Sequence, residues 1–355
     1  MPATDSATFN LIRTLTELTG PTGDERVVQD WIAARWQKSA SEVRRTKVNN
    51  VLARIGGKGP KLAIMGHADE ICYLVKSIST AGFVHFWPYY QDTRGFPPRW
   101  LNPLNQSARL MTSTGFVDGI FATASGHVVP HSDPTGKPNW NDWFVDLGAS
   151  SREEVEALGV HIGDHIIFNP TTRHLGPHGI VGKAMDDRAA LAIATLAGER
   201  LAGRTDLTYE VWLVSTVQEE NGLVGAQSVV DDLPLDCCLN LDVGLTGDIP
   251  GVDARDFPSE LGKGAVVVYM DGSAHYSRSM SDRLVRLAGE HTIPVQRAVF
   301  QQYGSDAAAL IKRGVDSALI AYPTRYTHSP IEMVDERDIG ACVDLIVAYC
   351  TTTPS

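Results

Sequence analysis

The stretch TYEVWLVSTVQEE, Thr208 to Glu220, holds the key to the fold. Its apolar run, Thr208–Val217, reads as a buried strand, and it stops at two adjacent carboxylates, Glu219-Glu220. Helical spacing precedes it over Asp187–Leu201 and resumes after it from Leu223. Further downstream the alternation continues with strands at Cys238–Asp242, Ala265–Met270, Val295–Phe300 and Ser317–Tyr322. Helices are expected at Ser281–His291, Asp306–Lys312 and Glu336–Tyr349. Upstream lie strands at Val51–Ile55 and Lys61–Met65, the second ending directly at His67. Two helices open the chain, one carrying Phe9, Ile12, Leu15 and Leu18, the other Val27, Val28, Trp31 and Ile32. Gly20-Pro21-Thr22-Gly23 breaks the pattern between them. Such alternation predicts an α/β fold, a mixed sheet flanked by helices on both faces.

Residues 76–176 have a different texture. They hold eight of the 19 prolines and four of the seven tryptophans. Short alternating runs appear at Phe83–Trp87, Phe116–Thr123 and His165–Phe168. One brief helix is expected around Arg152–Leu158, with Ser151 and Glu154 in capping-box spacing. The stretch reads as a small β-rich domain inserted into the α/β domain, which is then discontinuous, 1–75 and 177–355. Within it, Trp87–Gln106 is dense in proline and aromatic residues and reads as a packed loop, with a lid or an assembly contact as the other readings.

Composition narrows the function. Across 355 residues the formal charge is -11, with 43% apolar and 21% charged side chains, which describes a globular chain. The acidic balance argues against nucleic acid as a partner, since phosphate binding needs a basic footprint. No apolar run approaches the ~20 residues that span a bilayer. Met1–Asp5 lacks the basic start and apolar core of a signal peptide. The five cysteines are odd in number and form no C-x-x-C pair, so reduced thiols and a cytoplasmic location are expected.

Polar residues recur where apolar strands stop. His67 and Asp69 follow one strand, Glu219 and Glu220 another, Asp242 a third, and His328 a fourth; Asp186-Asp187 sit where a glycine-rich stretch becomes a helix. Ligands of open α/β sheets bind outside the carboxyl ends of the strands, so these side chains are placed to converge on one crevice. Imidazole with carboxylate is a zinc or cobalt donor set, and thiolates are absent from these positions. Metal-assisted hydrolysis needs bridging carboxylate ligands and one further carboxylate off the metal to take a proton. Each residue also has a plainer role. His67 and His328 suit structural hydrogen bonding, Asp186 a helix cap, Glu219-Glu220 a solvated loop edge, and Asp242 a turn.

The local sequences resemble one family in seven ordered blocks. These are Gly66–Ile71 (GHADEI), Lys183–Arg188 (KAMDDR), Thr216–Glu220 (TVQEE), Leu241–Val243 (LDV), Leu261–Gly264 (LGKG), Gly304–Ala307 (GSDA) and Arg325–Pro330 (RYTHSP). Together with Asp146–Ser151 inside the insertion, they resemble the M42 metallo-aminopeptidases, the glutamyl and tetrahedral aminopeptidase group. The resemblance implies a zinc-peptidase-like catalytic domain with two divalent ions, zinc or cobalt first and manganese also acceptable. It implies that His67 and Asp242 hold one ion, Glu220 and His328 the other, and that Asp186 bridges them. Glu219 is then the general base and Asp69 orients His67. The free α-amine of a short peptide is expected against one ion, so that only the N-terminal residue is removed. The resemblance further implies that the insertion mediates dimerisation, in homo-oligomers from dimer to dodecamer. Cys72, where the family usually has glycine, and Gly304-Ser305, for a more usual Gly-Gly-Thr, depart from the pattern without touching an implied ligand.

Arg255 and Lys263, near Leu261–Gly264, are candidates for favouring an acidic substrate side chain, or are solvated surface charges. Two rival functions remain on sequence grounds: a metal-dependent deacylase of N-acylated amino acids, and a non-catalytic scaffold that has kept the fold.

Overall fold

The computed structural model describes residues 5–88, 103–124, 127, 140–301 and 303–353. Most of the Trp87–Gln106 segment, residues 89–102, therefore lies outside the described residues. In chain order, α1 (Ala7–Glu17) and α2 (Arg26–Trp36) precede β1 (Glu42–Arg45), β2 (Val51–Gly56) and β3 (Lys61–His67). Then come β4 (Tyr73–Ile78), β5 (Val84–Pro88), β6 (Ser107–Thr112), β7 (Gly115–Thr123), β8 (Trp143–Asp146), α3 (Arg152–Ala157) and β9 (His165–Phe168). The chain continues through β10 (Arg173–Leu175), β11 (Gly179–Gly182), α4 (Met185–Leu201), β12 (Glu210–Thr216), α5 (Val224–Asp232) and β13 (Cys237–Leu245). It ends with β14 (Ala265–Met270), α6 (Arg278–Glu290), β15 (Val295–Val299), α7 (Ala307–Lys312), β16 (Asp316–Arg325), β17 (Glu332–Asp335) and α8 (Glu336–Thr351).

These elements form two compact units, one of residues 1–70, 172–327 and 332–355, the other of 71–171 with 328–331. The first is built on an 11-stranded sheet in the order β1-β2-β12-β3-β13-β16-β17-β11-β10, with β14 and β15 branching from β16. It is mixed: β12, β3, β13 and β16 run parallel, whereas β2 lies antiparallel to β12 and β17 to β16. Both faces are covered, which is why β3 reads as a continuous apolar run rather than an alternating one. Leu62 and Ile64 belong to the larger core cluster, on the side of β3 covered by α4. Ala63 and Met65 point the other way, toward Val229 of α5 and Leu310 of α7. At the centre, α4 is nearly all buried, and its alanines let it lie close on the sheet. Trp36 of α2 is fully buried, and its indole N–H donates to Thr195 Oγ1 of α4 at 2.8 Å.

In the second unit, β4-β5-β8-β7-β6-β9 close a small barrel, so the β-rich reading of the insertion describes its architecture. Tyr73, Phe86, Phe121 and Phe168 fill it, with Tyr73 and Phe86 edge-to-face at 4.8 Å. Ser151 caps α3 as its spacing predicts, accepting from Glu154 N. Glu154 Oε2 reaches back one residue further than expected, to Ser150 N at 2.7 Å.

Two local expectations change. Strand β13 does not stop at Asp242, because its pairing with β16 continues to Leu245 opposite Thr324. Asp242 is thus held inside a strand rather than in a turn. At the start of α4, Asp186 and Asp187 have non-helical backbone angles, so Asp186 is not an N-cap of regular form.

Candidate metal centre

Four parallel strands aim their carboxyl ends the same way, and the acidic and imidazole side chains gather there. His67 is the last residue of β3, Asp69 follows it, and Glu219-Glu220 follow β12. Asp186 and Asp187 come from the irregular first turn of α4, Asp242 from β13, and His328 from the loop between β16 and β17. Backbone in the left-handed region marks the approaches: Ala184, Gln218, Tyr326 and His328 all have positive φ. Such conformations in residues other than glycine persist where surrounding contacts over-determine them.

Among the described residues, three groups offer ligand atoms within 4.8 Å of one another: His67-Asp186-Asp187-Asp242, His67-Glu219-Glu220, and Asp186-Glu220-His328. Every sequence-predicted ligand belongs to at least one group, and so does Glu219. Most of these side chains are buried, His67 at 2% exposure and Asp242 at 3%. His67 Nε2 lies 3.1 Å from Asp186 Oδ1, and His67 Nδ1 lies 3.3 Å from Asp69 Oδ1, within ion-pair reach but off the line of a hydrogen bond. Asp69 Oδ1 also accepts from Glu219 N at 3.0 Å, and its Oδ2 from Glu220 N at 3.2 Å.

The electrostatics follow from crowding acids in a dry place. Burial pushes the Glu219 carboxyl well above its usual range; Asp242 and Glu220 add to the rise, and His67 opposes it. Burial likewise raises Asp242, with Asp187 and Asp186 contributing. His67 is driven the other way by burial, but Asp187, Asp186 and Asp69 outweigh that and hold the imidazolium well above the usual histidine range. Asp69 is lowered despite its burial, because His67 and the two backbone N–H groups favour the carboxylate. So many acids around one imidazole fit a divalent cation, whose charge offsets their burial. The donors are nitrogen and oxygen only, which fits zinc, cobalt or manganese.

Four further residues at the site had no role assigned from the sequence, although Asp187 stood in the cluster expected to converge there. Asp187 Oδ2 accepts from His67 N at 2.9 Å, and its Oδ1 from the Tyr322 hydroxyl at 2.6 Å, so it fixes the histidine by its backbone. Glu332 Oε2 accepts from Asp186 N at 3.0 Å. Asp306 is buried and accepts from Thr216 Oγ1 at 2.5 Å. The Tyr303 hydroxyl is buried without a hydrogen-bond partner among the described residues, within electrostatic reach of Asp242 and Asp186. Only the Asp186-Asp187 doublet and the GSDA block offered any signal for these four. Arg255 is 88% exposed and paired with Asp253, and Lys263 is exposed.

Comparison with known proteins agrees with this geometry. The M42 glutamyl aminopeptidase family profile matches residues 49–345. The lysyl aminopeptidase of Pyrococcus furiosus is 30% identical over 345 residues, 96% of each chain. The structure of aminopeptidase APDkam598 from Desulfurococcus kamchatkensis superposes with a TM-score of 0.89 at 32% identity, covering 98% of this chain and 95% of that one. TET1 peptidase of Pyrococcus horikoshii, described as assembling into a tetrahedron or a large octahedral shell, superposes with a TM-score of 0.84 at 25% identity, covering 97% and 99%. A cluster of histidine and carboxylates at the ends of parallel strands, a barrel inserted after the first of them, and a match along nearly the whole chain lead to one assignment. The chain belongs to the M42 glutamyl aminopeptidase family and is an aminopeptidase, a hydrolase of peptide bonds.

Proposed function

We propose that the chain is a two-metal aminopeptidase that removes N-terminal residues from short peptides. His67 and Asp242 would hold one ion and Glu220 and His328 the other, with Asp186 available to both. The observation that carries this is that Asp186 belongs both to the group with His67 and Asp242 and to the group with Glu220 and His328. Zinc or cobalt, with manganese also accommodated by these donors, supplies when bound the Lewis acidity that polarises a carbonyl and acidifies water. Glu219 takes the proton from the attacking water and passes it to the leaving amine. Burial raises the proton affinity of its carboxyl. Asp69 orients His67 from the far side of the ring.

The inserted domain, 76–176, is proposed as the dimer contact of a homo-oligomer. Trp87, Phe116, Ile120, Leu158 and Ile162 are exposed on it, an apolar complement that suits a covered surface. None of the five cysteines is in a disulfide, which supports a reducing, cytoplasmic compartment. No helix of the described residues is long and apolar enough to cross a membrane.

Reconstitution with zinc or cobalt, followed by a panel of aminoacyl chromogenic substrates, tests the proposal. Glu219→Gln is expected to lose on the order of 10²–10⁴ in kcat while keeping its fold and metal content. Full activity in that variant removes Glu219 from the mechanism. N-acetylated substrates are expected to resist cleavage. Their hydrolysis instead points to a deacylase, and an inert metal-loaded protein points to a scaffold.

A further inference from the structure

Beyond Thr216 the chain leaves the sheet, and four successive backbone N–H groups lose their ladder partners. Side chains from distant parts of the chain capture all four. Val217 N donates to Asn50 Oδ1 at 3.2 Å and Gln218 N to Glu25 Oε1 at 3.1 Å. Glu219 N and Glu220 N donate to the two oxygens of Asp69 at 3.0 and 3.2 Å. The carbonyls are bound as well: Val217 O accepts from Gly225 N, Gln218 O from Val224 N, and Glu219 O from Leu223 N.

Gln218 has φ +52°, a left-handed backbone that a residue other than glycine keeps only where its surroundings over-determine it. That residue sets the direction in which the next two side chains leave the backbone. Its N–H is held by Glu25, which is 4% exposed and otherwise accepts from Gly23 N at 2.7 Å. The same loop supplies Thr22, whose hydroxyl donates to Asp69 Oδ2 at 3.1 Å. The segment Thr22–Glu25 thus braces the Gln218–Glu220 turn both directly and through Asp69.

We infer that Glu25 is a positioning residue for this site, holding Gln218 in its left-handed conformation so that Glu219 and Glu220 point as base and ligand. The inference rests on the roles proposed above for those two carboxylates. Glu25 touches no substrate. It acts as a hydrogen-bond acceptor, so an isosteric amide can replace it and a shorter or absent side chain cannot.

The test compares Glu25→Ala, Glu25→Asp and Glu25→Gln in the full chain. In the metal-loaded enzyme, Glu25→Ala and Glu25→Asp are expected to lose about 10–100-fold in kcat with KM near wild type, and to retain less metal after dialysis. Glu25→Gln is expected to recover all but about threefold, because its Oε1 still accepts from Gln218 N. Hydrogen exchange supplies a readout independent of turnover. Amides 217–220 are expected to exchange faster in Glu25→Ala and Glu25→Asp than in wild type, and at the wild-type rate in Glu25→Gln. Where Glu25→Ala does not fold, Glu25→Asp carries the comparison. Wild-type kcat in Glu25→Asp, equal loss in Asp and Gln variants, or unchanged exchange at 217–220 overturns the inference. Should wild-type metal-loaded protein be inert on every aminoacyl substrate, the proposed function fails, and the exchange data still decide whether Glu25 holds the turn.

Discussion

Asp69 divides its two oxygens among four neighbours: the His67 ring, the N–H groups of Glu219 and Glu220, and the Thr22 hydroxyl. Replacing it with asparagine keeps the shape but exchanges one acceptor for a donor. A backbone N–H of Glu219 or Glu220 is then left buried without a partner, at about 1–3 kcal/mol. Asp69→Asn is therefore expected to lower kcat/KM and metal affinity by about 10–100-fold, as read by steady-state kinetics and by metal content after dialysis. Unchanged values in both measurements would remove Asp69 from the site. At this scale the sequence was informative where chemistry shows in residue type. His67, Glu219, Glu220 and Asp242 stood out because charged groups interrupt apolar strands. Asp187, Glu332 and Glu25 act on backbone N–H groups, a role that any buried acceptor can fill and that leaves no mark in spacing.

Helix α4 and strand β3 meet at Gly66, and the closeness of that packing sets the first group of donors. A Cβ added to Gly66 lies 2.8 Å from Ala190 Cβ and 2.9 Å from Asp187 Oδ2. Gly66→Ala is expected to destabilise the fold by roughly 1–3 kcal/mol through overpacking, measured by denaturant unfolding. It should also weaken metal binding, since Asp187 is pushed off His67 N; wild-type stability and metal binding together would refute both effects. Elements of this kind were legible because both faces of the central strands are buried and read as continuous apolar runs. Among the strands of the large sheet that escaped notice, the outermost are short. β1 is Glu-Val-Arg-Arg and partly exposed, and β10 is three residues at the far edge of the sheet. Their pairing is imposed by the neighbouring strand rather than by their own composition.

The whole molecule carries buried acids at a cost that depends on pH. Burial, with help from Asp69, raises the Glu25 carboxyl from 4.5 to about 7, and burial raises Asp306 to about 6. Below pH ~4 the folded and unfolded chains both hold these protons. Between there and about 7 only the folded chain holds the Glu25 proton, so its contribution to stability is lost as pH rises through that window. Metal-free Glu25→Gln is accordingly expected to match wild type near pH ~4 and to exceed it by roughly 3 kcal/mol at pH ~8, measured by denaturant titration at each pH. A difference that does not change with pH would count against this account.

The insertion has a kinetic consequence. Glu70, the last residue before it, is bonded through both carboxylate oxygens to Lys183 Nζ at 2.8 and 2.6 Å, a contact spanning 113 residues. Closing so long a flexible loop costs about 4 kcal/mol of chain entropy on the logarithmic scaling, before any length-independent constant. Yet β4 and β9, its first and last strands, are hydrogen-bonded neighbours, Tyr73 opposite Ile166. Once the barrel has formed, the search left to the flanking chain is that of a short loop. Early barrel formation therefore speeds assembly of the larger sheet, and a mutation that slows barrel folding delays the appearance of the site without touching any of its residues.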